Sequence, residues 1–203
     1  MEHSNNQITL CGSLQSLPVY SHENHGKEFY RFLLEVPRLS GTVDTLPVIA
    51  QKELLDQMDP SAGSMIKVSG QVRSHNQYTD RKRHLLIFVF AESVSAEDCE
   101  PINDVILEGP LCKDPIYRRT PLGREICDVM LAVPRAFHRA DYLPCITWGR
   151  TALDISACHT RDRVRICGRL QSRIYTKLTP EGSEERTAYE ISALTAEYLE
   201  DPL

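Results

Sequence analysis

Residues 141–150 read DYLPCITWGR, and residues 44–53 read DTLPVIAQKE. The two stretches share an aspartate, a leucine, a proline and an isoleucine at matching positions, 97 residues apart. They belong to a longer repeat, because residues 6–47 align with residues 103–144 without a gap, and GQVRS at 70–74 recurs as GRLQS at 168–172. An ordered series of matches at one spacing predicts two copies of one domain.

The repeat divides the chain into a first domain at residues 1–98 and a second at residues 99–203, with a short acidic joint near Ser95–Pro101. Each copy reads as five strands bounded by turn residues, with a short helix between the third and fourth strands. The predicted strands are 8–14, 27–36, 45–50, 66–73 and 85–91, then 105–111, 124–133, 142–148, 163–175 and 188–194; the helices are 52–58 and 151–158, and charged hairpin tips lie at 79–83 and 178–186. This order is that of the OB fold, so the predicted fold class is all-β, with two tandem five-stranded OB-fold barrels.

The composition is that of an ordinary globular protein, with 41% hydrophobic and 25% charged residues. The net charge of −5 excludes a histone-like polycation but not a local basic patch. No apolar run approaches the roughly 20 residues of a membrane span, and the start of the chain lacks a signal-peptide pattern. The expected location is therefore the cytoplasm.

The seven cysteines are scattered and none is spaced as C-x-x-C. This pattern favours a reduced compartment with small, mostly buried thiols, and it gives no paired ligand spacing for zinc. No phosphate loop, framed pair of carboxylates or nucleophile with a base is visible. We therefore expect no metal, no cofactor and no enzymatic activity.

Comparing the copies predicts which side chains face outward. The third strand of the first copy buries Leu46, Val48 and Ala50 on its apolar face, because alternate residues of a strand face opposite sides. The opposite face of the second copy then holds Tyr142, Pro144, Ile146 and Trp148. Trp148 occupies the position of Gln51, which favours an outward indole; packing against the short helix or a partner subunit is the alternative.

The fourth strand of the second copy alternates apolar residues with arginines at 163, 165, 169 and 173. Like charges on one face repel one another unless an anion neutralises them, although most charged faces are simply solvated. Twelve of the 14 basic residues after residue 102 are arginine, which forks onto phosphates and stacks on bases. Arginines interleaved with aromatic side chains are typical of sequence-tolerant single-strand binding.

The second copy resembles the bacterial single-stranded DNA-binding protein family. The matching segments are NDVILEGPLCKDPIYRRTPLG (103–123), LAVPR (131–135), DYLPCITWGRTALDI (141–155), GRLQSRIY (168–175) and YEISALTAEYLE (189–200). The first copy resembles the same family, or its primosomal OB-fold relatives, more faintly. The resemblance implies OB folds, single-stranded DNA binding without catalysis, and four OB domains per assembly, which this chain would reach as a homodimer.

The resemblance also carries site residues. The base-stacking aromatics fall on Phe137, Tyr142, Trp148 and Tyr175, and the phosphate contacts fall near Arg119, Arg135 and Arg173. The charge pattern adds Arg118, Arg165 and Arg169. In the first copy Ser40, Thr45 and Gln51 replace three aromatics and only Tyr78 answers Tyr175, so this copy is expected to bind DNA weakly or to serve structure and dimerisation.

Two other functions remain open at this stage. One is an adaptor of the primosomal type, an OB-fold module that mainly binds a protein partner, and replication or repair proteins are candidate partners in either case. The other is oligosaccharide binding, which OB folds also perform and which only the arginine content argues against. The preferred hypothesis is a protein that coats single-stranded DNA in replication, recombination or repair.

Overall fold

The computed structural model describes residues 5–58, 61–79, 82–179 and 182–200. Within these ranges the first half of the chain forms β1 (Asn6–Leu14), β2 (Val19–Asn24), β3 (Lys27–Pro37), β4 (Val43–Gln51), α1 (Lys52–Leu55), β5 (Met65–Thr79) and β6 (Lys82–Ala96). The second half forms β7 (Ile102–Pro110), β8 (Ile116–Arg119), β9 (Glu125–Arg135), β10 (Arg139–Trp148), α2 (Gly149–Ile155), β11 (Arg163–Thr179) and β12 (Gly182–Leu199).

Both halves close a barrel in the same strand order. In the first, β3 pairs with β4, β4 runs parallel to β6, β6 pairs with β5, and β5 pairs with β1, which returns to β3. In the second, β9, β10, β12, β11 and β7 follow the same order, and an antiparallel bridge between Leu111 and Leu131 closes the ring. This order is that of the OB fold. The predicted all-β class is confirmed, whereas the domain limits 1–98 and 99–203 stay a prediction.

The barrel interiors follow the predicted alternation. Leu46, Val48 and Ala50 of β4 are fully buried, and so are Val164 and Ile166 of β11. Gly70 and Gly168 mark the register shifts in β5 and β11. A Cβ at either glycine would overlap a carbonyl oxygen of the neighbouring strand, so the bend of each barrel requires glycine at this point.

The two barrels share one continuous sheet through antiparallel pairing of β1 with β7. Ile8 lies opposite Val105, and these two residues occupy the same position of the sequence repeat. The pairing is therefore centred on an approximate twofold axis. Backbone hydrogen bonds that would otherwise be open on two edge strands are satisfied within one chain.

The structure differs from the predicted elements in three respects. The helices predicted at 52–58 and 151–158 end at Leu55 and Ile155, because the chain closes into a turn in which Met58 and Cys158 donate to the carbonyls of Leu55 and Ile155. Strands β2 and β8 were not predicted, because their side chains are almost all exposed and carry no apolar alternation. The ladders between β5 and β6 and between β11 and β12 continue in register through the segments predicted as charged tips, up to Thr79 with Lys82 and Thr179 with Gly182. A two-stranded ribbon exposed on its faces needs no apolar residues, so charge alone suggested a loop.

These ribbons form two arms: the first arm is residues 73–79 with 82–88, and the second arm is residues 171–179 with 182–190. Each arm is bonded to the opposite barrel through a buried aspartate. The backbone N–H of Ser172 donates to Asp44 at 2.7 Å, and the backbone N–H of Ser74 donates to Asp141 at 2.7 Å. The position of each arm is therefore set by the barrel to which it does not belong.

The expectation that the cysteines are reduced thiols is wrong for one pair. Cys11 on β1 forms a disulfide with Cys99. Cys99 belongs to the linker, residues 97–101, and the pairing of Cys11 with Ile102 brings that linker across β1. Cysteines 88 residues apart in sequence give no pairing signal, whereas the β1–β7 register places them together. The other five cysteines are free.

Among the residues described, no helix has the length and apolar character needed to cross a membrane.

Candidate nucleic-acid interface

The outer face of β10 presents two aromatic side chains. Tyr142 and Trp148 are 45% and 37% exposed, while Leu143 and Cys145 between them are buried. The predicted outward orientation is therefore confirmed for both. Six residues of extended strand separate their Cα atoms by about 20 Å, so the two rings can contact different bases of one strand.

The indole of Trp148 is held in place by a hydrogen bond. Its Nε1–H donates to Oγ of Ser192 on β12 at 3.1 Å. Ile146, predicted on the same outward face, is 7% exposed and is not part of the barrel core, so its side chain is covered and not open to solvent. It pairs with Ser192, the residue that accepts the indole hydrogen bond.

Phe137 projects from the turn between β9 and β10. Its ring is 91% exposed, and its φ of 59° lies in the left-handed region, as does the 54° of His138. Non-glycine residues adopt this region rarely, and such residues concentrate at ligand-binding sites. Because the ring is exposed, packing of the Phe137 side chain contributes little free energy to offset the strained backbone.

The arms contribute the remaining predicted aromatics. On the second arm the guanidinium of Arg173 lies 5.8 Å from the ring centre of Tyr175, a cation–π distance. On the first arm Tyr78 is 73% exposed. The expectation that Tyr78 answers Tyr175 is wrong. The strand registers match Gly70 and Ser74 with Gly168 and Ser172, so Tyr78 corresponds to Thr176 and lies on the opposite face of its ribbon from Tyr175.

The surface around Tyr142 is built from both halves of the chain. Its backbone N–H donates to Oγ of Ser74 on the first arm at 2.8 Å. A cavity of about 310 Å³ beside its ring is lined by Asn76 and Leu85 of that arm and by Met130 of β9. The first half thus supplies part of the wall next to an aromatic residue of the second.

A larger cleft of about 930 Å³ runs between the two arms. Its lining joins Pro144 of β10 to Tyr175 and adds the basic residues Arg31, Lys177 and Arg186. The sequence analysis did not single out these three cations. Lys177 could have been found, because it follows Tyr175 at the two-residue period of the same strand face, and Arg186 lies directly opposite Tyr175.

The predicted arginines are not a bare row of positive charge. Ion pairs join five of them to carboxylates of neighbouring strands, namely Arg118–Asp128 (2.6 Å), Arg119–Glu125 (3.1 Å), Arg135–Asp141 (3.4 Å), Arg165–Glu108 (2.7 Å) and Arg173–Glu190 (3.8 Å). The repulsion expected between the arginines of β11 is therefore reduced by carboxylates. The acids come from adjacent strands, which alternation within one strand does not reveal.

Arg169 differs from the others. Its Nε is buried and, within the described ranges, is the one buried side-chain nitrogen or oxygen without a hydrogen-bond partner. It lines a cavity of about 830 Å³ between the linker and the β3–β4 turn. An unsatisfied buried donor is costly, so this guanidinium is free to take an acceptor from a ligand.

The structure groups the predicted residues unequally. In the strand order β7-β11-β12-β10-β9-β8, Arg118 and Arg119 lie two strands from β10 on one side, and Arg165 lies two strands away on the other. Tyr175 lines the cleft that also contains Pro144 of β10. The predicted residues therefore form two groups, Tyr142 with Trp148 on β10 and Tyr175 with Arg173 on the second arm.

Comparisons with known proteins agree with this geometry. Residues 102–199 match the family model described as the single-strand binding protein family. The single-stranded DNA-binding protein B of Bacillus subtilis (strain 168) is 39% identical over 80 residues, which cover 36% of this chain and 71% of that protein. The single-stranded DNA-binding protein of Bacillus cereus is 34% identical over 108 residues, which cover 49% of this chain and 61% of that protein.

A solved structure matches nearly the whole chain. The wild-type single-stranded DNA binding protein from Thermus aquaticus superimposes with a TM-score of 0.80 over 98% of this chain and 94% of that one, at 23% identity. At this identity the likeness concerns the fold, including the presence of both halves. Taken with the 39% identity to the Bacillus subtilis protein over 71% of its length, these matches show that the chain belongs to the single-strand binding protein family.

Proposed function

We propose that this chain binds single-stranded DNA, without catalysis, on the outer face of β10 and along the second arm. The observation that carries the proposal is the exposed pair Tyr142 and Trp148 on one strand face, and Tyr175 lines a cleft with Pro144 of the same strand. Bases stack on such rings whatever their identity, with about 1–3 kcal/mol per base. The matched relatives, which are named single-stranded DNA-binding proteins, support this function over a protein-binding adaptor.

Phe137, Tyr142, Trp148 and Tyr175 take bases, with Tyr78 as the contribution of the first arm. Arg118, Arg119, Arg135, Arg165, Arg169 and Arg173 take phosphates, and Lys177 and Arg186 join them in the cleft. The hydrogen bond that Arg165 donates to the carboxylate of Glu108 raises the pKa of Arg165 above its ordinary value, so it stays charged. Neutralising phosphates with these cations releases counterions from the DNA, which makes binding strongly dependent on salt.

The proposed assembly is a homodimer with four OB domains. The family resemblance supports it. The apolar side chains of Ile106 and Leu194, on the sheet β6-β5-β1-β7-β11-β12, are exposed in the single chain and could be covered by a second copy. Light scattering checks this directly, because the solution mass should equal two chains; a mass of one chain at micromolar concentration contradicts it. In the cell such an assembly would act with replication, recombination or repair proteins at the nucleoid.

Fluorescence of Trp148 gives the test of the function, since it is the single tryptophan of the sequence. Oligo-dT should quench its emission at low salt, and duplex DNA of equal length should do so far less. Affinity should fall linearly with the logarithm of salt concentration. If neither DNA changes the fluorescence or the electrophoretic mobility of the folded protein, the proposal is overturned.

Alanine variants test the arginines one at a time. Replacing Arg169 or Arg173 should lower both the affinity for oligo-dT and the steepness of its salt dependence, because each released phosphate contact reduces the slope by about 1. Lys52→Ala is the matched control, since Lys52 pairs with Asp56 on α1, away from β10. An adaptor would instead keep the same weak DNA affinity in all three variants.

A further inference from the structure

The outer aromatic ring in this region lies on β10 in the second barrel and on β6 in the first. In the second barrel Ile146 of β10 pairs with Ser192 of β12, and the indole of Trp148 is anchored on that serine. In the first barrel the equivalent isoleucine, Ile49, pairs with Phe90. The first barrel has Gln51 in place of Trp148, but its β6 supplies a ring where β12 has a small hydroxyl.

The exchange extends along the outer face of β6. Phe88 lies opposite Arg73, at the position that Glu190 takes opposite Gln171 in the second barrel. Leu86, one step further along this face, is 42% exposed. The outer face of β6 is therefore apolar, whereas the corresponding face of β12 is polar. The side chains of this apolar face do not belong to the core of the first barrel.

Phe90 stands on a rigid support. Its ring centre lies 5.9 Å from that of buried Phe29, and the ring of His22 stacks on Phe29 at 4.9 Å with an interplanar angle of 9°. The guanidinium of Arg73 lies 5.9 Å from the Phe90 ring. A ring fixed by neighbours loses little conformational entropy when a ligand stacks on it.

These side chains line a groove of about 540 Å³. Its walls include Phe88, Phe90, His75 and Arg73 of the first half and Arg135 of the second, and none of the described residues that line it is a carboxylate. Arg73 and Arg135 both reach one buried carboxylate, that of Asp141, at 3.1 and 3.4 Å. Two guanidiniums that share a single negative charge leave the groove with an excess of positive charge.

We propose that this groove is a second binding site for single-stranded DNA, in which a base stacks on Phe88 and Phe90 and its phosphate lies between Arg73 and Arg135. Aromatic faces beside free positive charge are the chemistry that recognises a nucleotide. The inference rests on the proposed function and changes one expectation, since the first barrel becomes a DNA-binding barrel with its aromatics on β6 instead of β4.

Removing the first site exposes the second. In a background of Tyr142→Ala with Trp148→Ala, a fluorescein-labelled oligo-dT should still bind at low salt, as read by anisotropy. Adding Phe88→Ala and Phe90→Ser, the latter being the residue found at the equivalent position of the second barrel, should weaken the remaining affinity at least about tenfold. Tyr20→Ser is the control, because Tyr20 is an exposed aromatic of the same barrel that does not line the groove.

The outcomes separate the two proposals. If wild-type protein binds oligo-dT but the Phe88 and Phe90 changes leave the background affinity unaltered, the groove is not a site and the proposed function stands. If wild-type protein does not bind at all, both fail. A variant-independent readout uses wild-type protein and oligonucleotides containing 5-iodouracil: photocrosslinks should appear on the peptide that carries Phe88 and Phe90. Crosslinks confined to Tyr142, Trp148 and Tyr175 would overturn the groove.

Discussion

The two barrels carry different side chains, with different contacts, at the same position of their first strands. On β1 the outward residue Cys11 forms a disulfide with the linker, whereas its counterpart on β7, Glu108, forms an ion pair with Arg165. The counterpart of Arg165 is Lys67, which reaches Glu97 of the linker. In one barrel these positions hold the linker, and in the other they hold two strands together.

The hydrogen bonds that join each arm to the opposite barrel are the same in both halves. Asp44 with Ser172 and Asp141 with Ser74 repeat the same hydrogen bond at 2.7 Å. The difference teaches that the pseudo-twofold contacts constrain the sequence, while the outer faces are free to change chemistry. Functional asymmetry should therefore be sought on the outer faces, and stability should depend on elements that both barrels share.

The largest expected effect concerns the disulfide, which one barrel has and the other lacks. The Cys11–Cys99 bond closes a loop of 88 residues. Loss of that closure, by reduction or by Cys99→Ser, should lower the free energy of unfolding by roughly 4–5 kcal/mol. Guanidinium unfolding with and without dithiothreitol measures it. Dithiothreitol should not alter the Cys99→Ser variant, and seven titratable thiols in unreduced, denatured protein would refute the bond.

The shared aspartates come next. Asp44→Ala and Asp141→Ala should each destabilise the protein by about 3 kcal/mol, because a buried carboxylate is removed from partly buried arginines. Asp141→Ala should cost more, since Arg73 and Arg135 both lose their counter-charge. Asp128→Ala, which breaks the exposed pair with Arg118, should cost less than about 1 kcal/mol. Equal losses for all three would contradict the interpretation.

Exchanging residues at the tryptophan position tests the asymmetry of the outer faces. Trp148→Gln should weaken oligo-dT binding by roughly one to two powers of ten, as expected for one lost stacking ring. Gln51→Trp should not restore the loss, because Phe90 stands where Ser192 would accept the indole N–H. Anisotropy titrations of both variants and of the double exchange decide it. A full gain of affinity from Gln51→Trp would show that the two faces are interchangeable.

The smallest effect concerns the free thiols, which all lie in the second half among the residues described. Burial raises the pKa of Cys127 to about 11 and that of Cys145 further still. A raised folded-state pKa gives stability that is complete below the unfolded value of about 8.5 and is lost as pH rises towards the folded value. Melting temperature should therefore fall between about pH 8.5 and 11, and iodoacetamide near neutral pH should spare both cysteines. Rapid alkylation of either in folded protein would contradict this.

Sequence patterns predicted the parts of the fold that depend on burial. The alternation of Leu46, Val48 and Ala50 identified an inner face, and the glycines at 70 and 168 marked the bends. The arms and the edge strands β2 and β8 were missed because their residues are exposed on both faces, so hydrophobic periodicity carries no signal there. The disulfide and the arginine ion pairs join different strands, and the register between strands is not written within either strand alone.

The candidate site was predicted to the same extent. Comparison of the repeats found Tyr142 and Trp148, because a glutamine or threonine at the equivalent position argues against burial. It missed Phe88 and Phe90, because residues 85–91 are apolar on both faces and alternation could not tell which face was inner. In the structure Ile87, Val89 and Ala91 fill the core, which leaves the phenylalanines outside.

The β1–β7 junction has a consequence for any attempt to work with half of the protein. Cutting the chain at the linker and keeping the second half would remove β1 from the outer edge of β7. It would also remove the first arm, which covers Asp141. The freed edge carries the register that pairs Ile8 with Val105 about a twofold axis, so a second copy of the same half could take the vacant place. An isolated half is therefore expected to behave as a self-pairing fragment, and its DNA affinity should be interpreted as that of a reconstituted pair.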